Sequence, residues 1–188
     1  MDTAEVLIAE RGFSVSLREI AAHAGQRNNS AVIYHFGNQD GLIAATLERR
    51  MKALEERRLE MLDAVDLGGE PPISALVAII VDPALTIPYL DGATHYARFV
   101  EQVRNHPVIS NAVPTVENWP AITLILEQIE KRLPGTLRTR HRRIAMMATV
   151  MFVLIADFER RGQLGSTSGR KTASRELVAV LTAVLTID

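Results

Sequence analysis

Residues 24–42 read AGQRNNSAVIYHFGNQDGL and gather hydrogen-bonding side chains in one short stretch. Arg27, Asn28, Asn29 and Ser30 stand together, and Tyr34 and His35 follow about one helical turn later. These residue types can read the edges of DNA bases. Asparagine bonds adenine through two contacts, serine donates or accepts, and the small Ala31 permits close approach to a thymine methyl. The Tyr34 hydroxyl and a His35 ring nitrogen suit phosphate oxygens, which position a protein on the duplex without specifying sequence. Ser16, Arg18 and the amide ends of neighbouring helices suit phosphate in the same way. On spacing alone, a short surface helix whose asparagines serve as caps accounts for these residues equally well.

The flanking elements fit the task of presenting that segment. A first helix over residues 2–11 carries Ala4, Leu7 and Ile8 on one face and stops at Gly12, with Phe13 as a packing residue. Ser16 and Glu19 form a capping box ahead of a helix from Leu17 to Ala24, whose apolar residues Leu17, Ile20, Ala21 and Ala24 share a face. Gly25 centres a tight turn, and Asn28 or Asn29 caps a second short helix ending near His35, with Val32, Ile33 and Phe36 facing inward. Gly37-Asn38 closes it, and Asn38 caps a long fourth helix over residues 39–65. Two short helices joined by a tight turn, the second bearing the polar side chains, have the layout of a helix-turn-helix.

The run from Gly12 to Leu42 resembles the DNA-binding domain of TetR-family transcriptional regulators. Three features carry the resemblance: the Gly12-Phe13 pair, the string REIAAHAG over residues 18–25 behind its serine cap, and YHFGNQDGLI over residues 34–43 leading into a charged helix. The remaining helices match only in number and order. The resemblance implies an all-α protein: a three-helix DNA-binding domain at residues 1–48, then a larger helical domain at 49–188 that binds a small-molecule effector and dimerises. Its implied partners are double-stranded operator DNA and a second copy of the chain, in a bacterial cytoplasm, with a repressor as the expected role. Three departures stand out. The turn and helix between Gly25 and Phe36 run one residue longer than the commonest spacing, leaving the base-facing register open among Arg27, Asn28, Asn29, Ser30 and Val32. Where the family often has a phosphate-contacting lysine, this chain has Gln39 or Asp40. Met1 falls inside the family's first helix, so the usual basic arm is expected to be missing.

Composition neither supports nor opposes DNA. The 188 residues carry 21 Lys and Arg against 22 Asp and Glu, so no overall basic footprint exists. Cysteine is absent, which excludes disulfides, thiolate metal sites and cysteine nucleophiles. The acidic start, MDTAEVLIAERG, is unlike a secretory signal, and the uncharged run Ile144–Ala156 is too short to span a bilayer. A cytoplasmic chain with no membrane partner is therefore expected, and the Asn28-Asn29-Ser30 glycosylation triplet carries no meaning there.

Beyond a break at Asp66–Pro72 the pattern stays helical and turns apolar. Helices are expected over 73–81, 90–105, 119–133, 137–161 and 172–186, with Pro83 and Pro88 marking a loop or kink and GQLGSTSGRKT joining the last two. Ala148, Met151, Phe152, Ile155 and Phe158, with Leu177, Leu181 and Val184, give the last two helices broad apolar faces, expected to form a four-helix dimer interface. His95, Tyr96, Phe99, Trp119, Met147 and Met151 are the candidate effector contacts, although each suits a core equally well. The basic run from Arg138 to Arg143 is read as a solvated helix start or an anion site. The five histidines show no metal-ligand spacing, no phosphate loop or nucleophile elbow is present, and neither enzyme activity nor a cofactor is expected. The rival reading is a helical protein-binding adaptor with a degenerate DNA-binding domain.

Overall fold

Helical periodicity becomes helix throughout the computed structural model, which describes residues 1–26, 29–65, 67–89, 95–104, 106–107 and 117–187. Among these residues every regular element is helical. Helix α1 (Asp2–Arg11) ends at Gly12, whose φ of 62° is a conformation that side chains with a Cβ resist. A 3-10 turn, Gly12–Ser14, leads to α2 (Leu17–His23), α3 (Asn29–Phe36) and α4 (Gln39–Asp63). Ala4, Leu7 and Ile8 of α1 are buried as their spacing requires. They meet Ile20, Leu42 and Ile43, but also Tyr96, Phe99 and Val103 from α6 (Tyr96–Val103). The first hydrophobic core is thus completed by a helix from the second half of the chain.

The second core is built by α5 (Ile73–Thr86), α7 (Pro120–Arg132), α8 (Leu137–Arg160) and α9 (Thr167–Thr186), with the C-terminal half of α4 against it. Two boundaries differ from the sequence reading. Helix α5 does not stop at Val81 but runs through Pro83 to Thr86. Continuing costs about 3 kcal/mol for the proline. It keeps Ala84 and Leu85 in the core, and full burial of one leucine contributes roughly 1.5–3 kcal/mol. Helix α9 starts at Thr167 rather than Thr172, because Ser166 accepts from the Gly169 amide at 3.0 Å and caps it early. A Cβ on Gly169 would lie 2.0 Å from the Gln163 carbonyl oxygen, so the Gly/Ser-rich segment tolerates a turn of chain folded tightly onto this helix. The helix expected over 90–105 is described only as Tyr96–Val103, with residues 90–94 and 105 outside the described set.

The apolar stripes of α8 and α9 are turned differently from the expected interface. Met151, Ile155, Leu177 and Leu181 are buried in this chain's own core. Ala148, Phe152, Phe158 and Val184 are half-buried, and Phe152 packs edge-on to Tyr96 with ring centroids 6.4 Å apart. The two helices pack on each other, α8 on α6 and α9 on α5. Among the larger apolar side chains left exposed are Leu137, Met146 and Val153 on α8, Val180 on α9 and Ile187 just after it.

Buried carboxylates join the helices. Glu5 of α1, 2% exposed, receives the Arg50 guanidinium of α4 in a fork: Nε to Oε2 at 2.8 Å and Nη2 to Oε1 at 3.1 Å. Burial alone would lower the Arg50 pKa, but the hydrogen bonds and charge of Glu5 outweigh it and raise it. Neighbouring Arg49 donates to Asp2. Glu159 of α8 accepts from the Ala97 amide at 2.8 Å, the Arg98 amide at 3.0 Å and the Tyr89 hydroxyl, and so caps α6, whose own N-cap His95 supplies no side-chain bond. Glu55 of α4 does the same for α7 through the Ala121 and Ile122 amides, in place of Trp119. Arg58 lies buried beside Glu55, 3.7 Å away, with its Nε and Nη1 making no hydrogen bond among the described residues.

Removing one partner of the buried fork strands a charge. Arg50→Ala is expected to lower unfolding free energy by roughly 3 kcal/mol. Asp2→Ala, at a side chain 78% exposed, is expected to cost less than about 1 kcal/mol in the same denaturant titration. Burial pushes the Glu159 carboxyl above its ordinary value, against the Tyr89 hydroxyl and the two amides. With the folded pKa raised, protonation stabilises the fold; that contribution is complete below the ordinary 4.5 and fades as pH rises through the folded value. Stability measured from pH 4.5 upward should therefore fall in the native chain relative to Glu159→Gln, and a pH-independent difference would contradict the shift.

Candidate nucleic-acid interface

The helix-turn-helix is assembled from local bonds that the sequence encodes. The Glu19 amide donates to Ser16 Oγ at 3.2 Å, and the Ser16 amide returns to Glu19 Oε2 at 2.8 Å. The bond from the Ser16 amide, then that from its hydroxyl, holds the Glu19 carboxyl below its usual range. Ile20 and Ala21 bury the inner face of α2, leaving Ser16 and Arg18 exposed. Arg18 forms no ion pair among the described residues. At the turn, Gly25 takes φ 71°, and Gln26 donates to the Ala21 carbonyl at 2.9 Å, closing the end of α2.

Helix α3 begins at Asn29 and packs against α2 and α4. Arg27 and Asn28 lie outside the described residues, as do the side chains of Asn29, Ser30 and Ala31. The choice of cap and of base-facing register therefore stays where the sequence left it. Val32 and Phe36, four residues apart, are the half-buried inner face. Ile33 was expected to pack with them but is 48% exposed, because it falls about 100° round the helix from Val32. Tyr34 is 86% exposed, with the exposed His35 ring edge-on at 5.4 Å.

Three contacts set the pose of α3. Gly37, at φ 71°, ends it with its amide on the Ile33 carbonyl at 2.8 Å. Asn38 Oδ1 accepts from the Gly41 amide at 2.9 Å and starts α4. A Cβ on Gly41 would stand 1.9 Å from the Phe36 carbonyl oxygen, so the glycine lets the end of α3 lie against the first turn of α4. Sequence reading passed over Gly41; a glycine in the first turn of an otherwise strong helix was the available signal. Gln39 donates its amide nitrogen to the Val15 carbonyl at 2.9 Å, so this expected phosphate contact braces the motif internally. Asp40 lies 3.5 Å from His106, whose ring stacks on Phe13 with centroids 4.9 Å apart. These two contacts tie the motif to the chain just beyond α6.

The candidate effector residues are dispersed. Tyr96 and Phe99 are fully buried in the first core, and burial pushes the Tyr96 phenol up to about 12. Met147, Met151 and the half-buried Trp119 belong to the second core. His95 lies 3.8 Å from Glu10 of α1, and its pKa is lowered, first by burial and then by Arg98. None of the six lines the large cleft between α4, α5 and α9. Among the described residues no cluster of three His, Asp or Glu is placed to hold a metal, and no helix is long and apolar enough to cross a membrane.

Gly41→Ala is expected to destabilise the chain by about 1–3 kcal/mol through the forced shift of the Phe36 backbone. Gly25→Ala meets open space and should cost only the left-handed backbone term, about 1–2 kcal/mol. Thermal unfolding of both variants separates steric from conformational cost.

Residues 1–46 match the family model for bacterial regulatory proteins of the tetR family. No curated protein matches the sequence. The structure is similar to that of the ketosteroid transcriptional regulator KstR2 of Mycobacterium tuberculosis, at 14% identity and a TM-score of 0.56. That similarity covers 99% of this chain and 92% of the other, and it is a similarity of all-helical fold.

Proposed function

We propose that the chain, whose residues 1–46 match the family model for bacterial regulatory proteins of the tetR family, is a sequence-specific, ligand-responsive repressor acting as a homodimer on operator DNA. The observation that carries this reading is α3. Its inner face is held by α2 and α4, while Tyr34 stands 86% exposed on its outer face. An exposed tyrosine on a helix so firmly posed suits an external partner. Arg27, Asn28, Asn29 and Ser30 are assigned to base edges as a set; Tyr34, His35, Ser16 and Arg18 are assigned to phosphates.

Dimerisation is supported by the exposed apolar face of α8 and α9. Met146 is 45% exposed, Val153 39% and Val180 43%, and the exposed Ala145 and Ala183 allow close helix approach. A two-fold axis there presents paired α3 helices to half-sites about 34–36 Å apart. Residues 1–48 act as the reader and 49–188 as the sensing and pairing unit, with α4 in both. Ligand bound near the C-terminal half of α4 changes the spacing of the readers, and DNA opposes ligand by the same free energy.

Selection of bound genomic fragments by the purified protein should enrich a pseudo-palindrome; an unenriched pool would remove the sequence-specific reading. Tyr34→Phe and Asn29→Ala should each weaken operator binding by about 1–3 kcal/mol, with thermal unfolding and dimer mass unchanged. Val153→Asp with Val180→Asp should give a folded monomer by light scattering and reduce DNA binding together with it.

A further inference from the structure

The cleft between α4, α5 and α9 has a volume of about 770 Å³. Pockets for metabolite-sized molecules run roughly 300–1,000 Å³. Cations converge on it from two helices: Arg57 of α4, and Arg170, Lys171 and Arg175 of α9. Against them stands Asp82 of α5, whose carboxylate accepts from the Ser174 hydroxyl at 2.5 Å. Arg57 is paired with exposed Glu60, whereas Arg170, Lys171 and Arg175 form no ion pair among the described residues. Arg170 is fixed in place by bonds to the Leu164 carbonyl at 2.8 Å and the Thr167 hydroxyl at 3.3 Å.

Like charges one turn apart on a helix repel, and nothing acidic in the first turn of α9 relieves them. The floor of the cleft differs in character, since Leu85 is buried there and Met61 is half-buried beside it. Guanidinium and ammonium groups at the mouth with a thioether and a leucine beneath match a molecule with a charged head and an apolar body.

We propose that this cleft binds an amphipathic organic anion, its phosphate or carboxylate held by Arg57, Lys171 and Arg175 and its apolar part lying on Met61 and Leu85. Such a ligand bridges α4 to α9, and α4 carries the helix-turn-helix at its other end. The inference rests on the reading of the chain as a ligand-responsive regulator and names the chemical class of its effector.

Calorimetric titration of the full chain with octyl phosphate, octanoate, octanol and inorganic phosphate tests it. Both amphipathic anions should bind, and the stronger of the two identifies the head group. Octanol and inorganic phosphate should each bind at least about tenfold more weakly, each having lost one of the two kinds of contact. The double variant K171E/R175E should lower affinity for the anions by at least about tenfold and leave octanol unchanged. Circular dichroism checks that it is folded, and K171A/R175A gives the same comparison with a milder change. Octanol binding as tightly as the anions, or anion affinity unchanged in both variants, would overturn the proposal. So would loss of DNA affinity in K171E/R175E without any anion binding by the parent, which assigns these cations to nucleic acid. Titration of selected genomic fragments alongside separates the two readings. DNA binding by a parent that takes up no anion ends the cleft proposal alone; anion binding with no DNA binding supports the cleft and ends the regulator reading.

Discussion

A carboxylate taken out of water must be met by donors, and that requirement ties this helical protein together. Glu5, Glu55 and Glu159 all lie inside, and none is satisfied by its own helix alone. Glu5 on α1 is met by Arg50 on α4, Glu55 on α4 by the first amides of α7, and Glu159 on α8 by the first amides of α6. Each bond therefore crosses between helices distant in sequence. Apolar packing can slide by a fraction of an ångström at little cost, whereas a buried ion pair or helix cap loses its donors when displaced. The relative placement of the N-terminal helices and the C-terminal bundle follows from these polar contacts as much as from the two cores.

Helix α4 carries most of that burden. Its N-terminal two-thirds places Leu42, Ile43 and Leu54 in the core shared with α1, α2 and α6, and its last turns place Leu62 in the core of α5, α7, α8 and α9. Arg50 and Glu55 are held from opposite sides along it, and Arg57 and Met61 reach the cationic cleft near its end. A molecule seated in that cleft pushes on one end of a stiff element whose other end is braced to α3 through Asn38, Gln39 and Gly41. The absence of a basic excess in the composition is also explained in part by geometry. Arg50 is occupied by buried Glu5 and Arg49 by exposed Asp2, while exposed Arg18 forms no ion pair among the described residues.

Local sequence determined the helix-turn-helix almost completely. The Ser16–Glu19 box, the stops at Gly12, Gly25 and Gly37, and the Asn38 cap act over a few residues, so their residue types suffice to place α1 to α4 within a residue or two. The same holds for the start of α8 at Leu137 and for the all-helical class itself, because 3.6-residue periodicity is a local property. What tertiary structure alone decided were the matters settled by competition between surfaces. Met151, Ile155, Leu177 and Leu181 could line an interface or a core by sequence, and packing against α5 and α6 sent them to the core. Pro83 stayed helical because Ala84 and Leu85 were worth burying. The caps of α6 and α7 come from glutamates 62 and 66 residues distant in the chain, a separation that no local pattern reports. The cationic cleft likewise exists only once α4 and α9 lie side by side, since charges far apart in sequence become one site only through the fold.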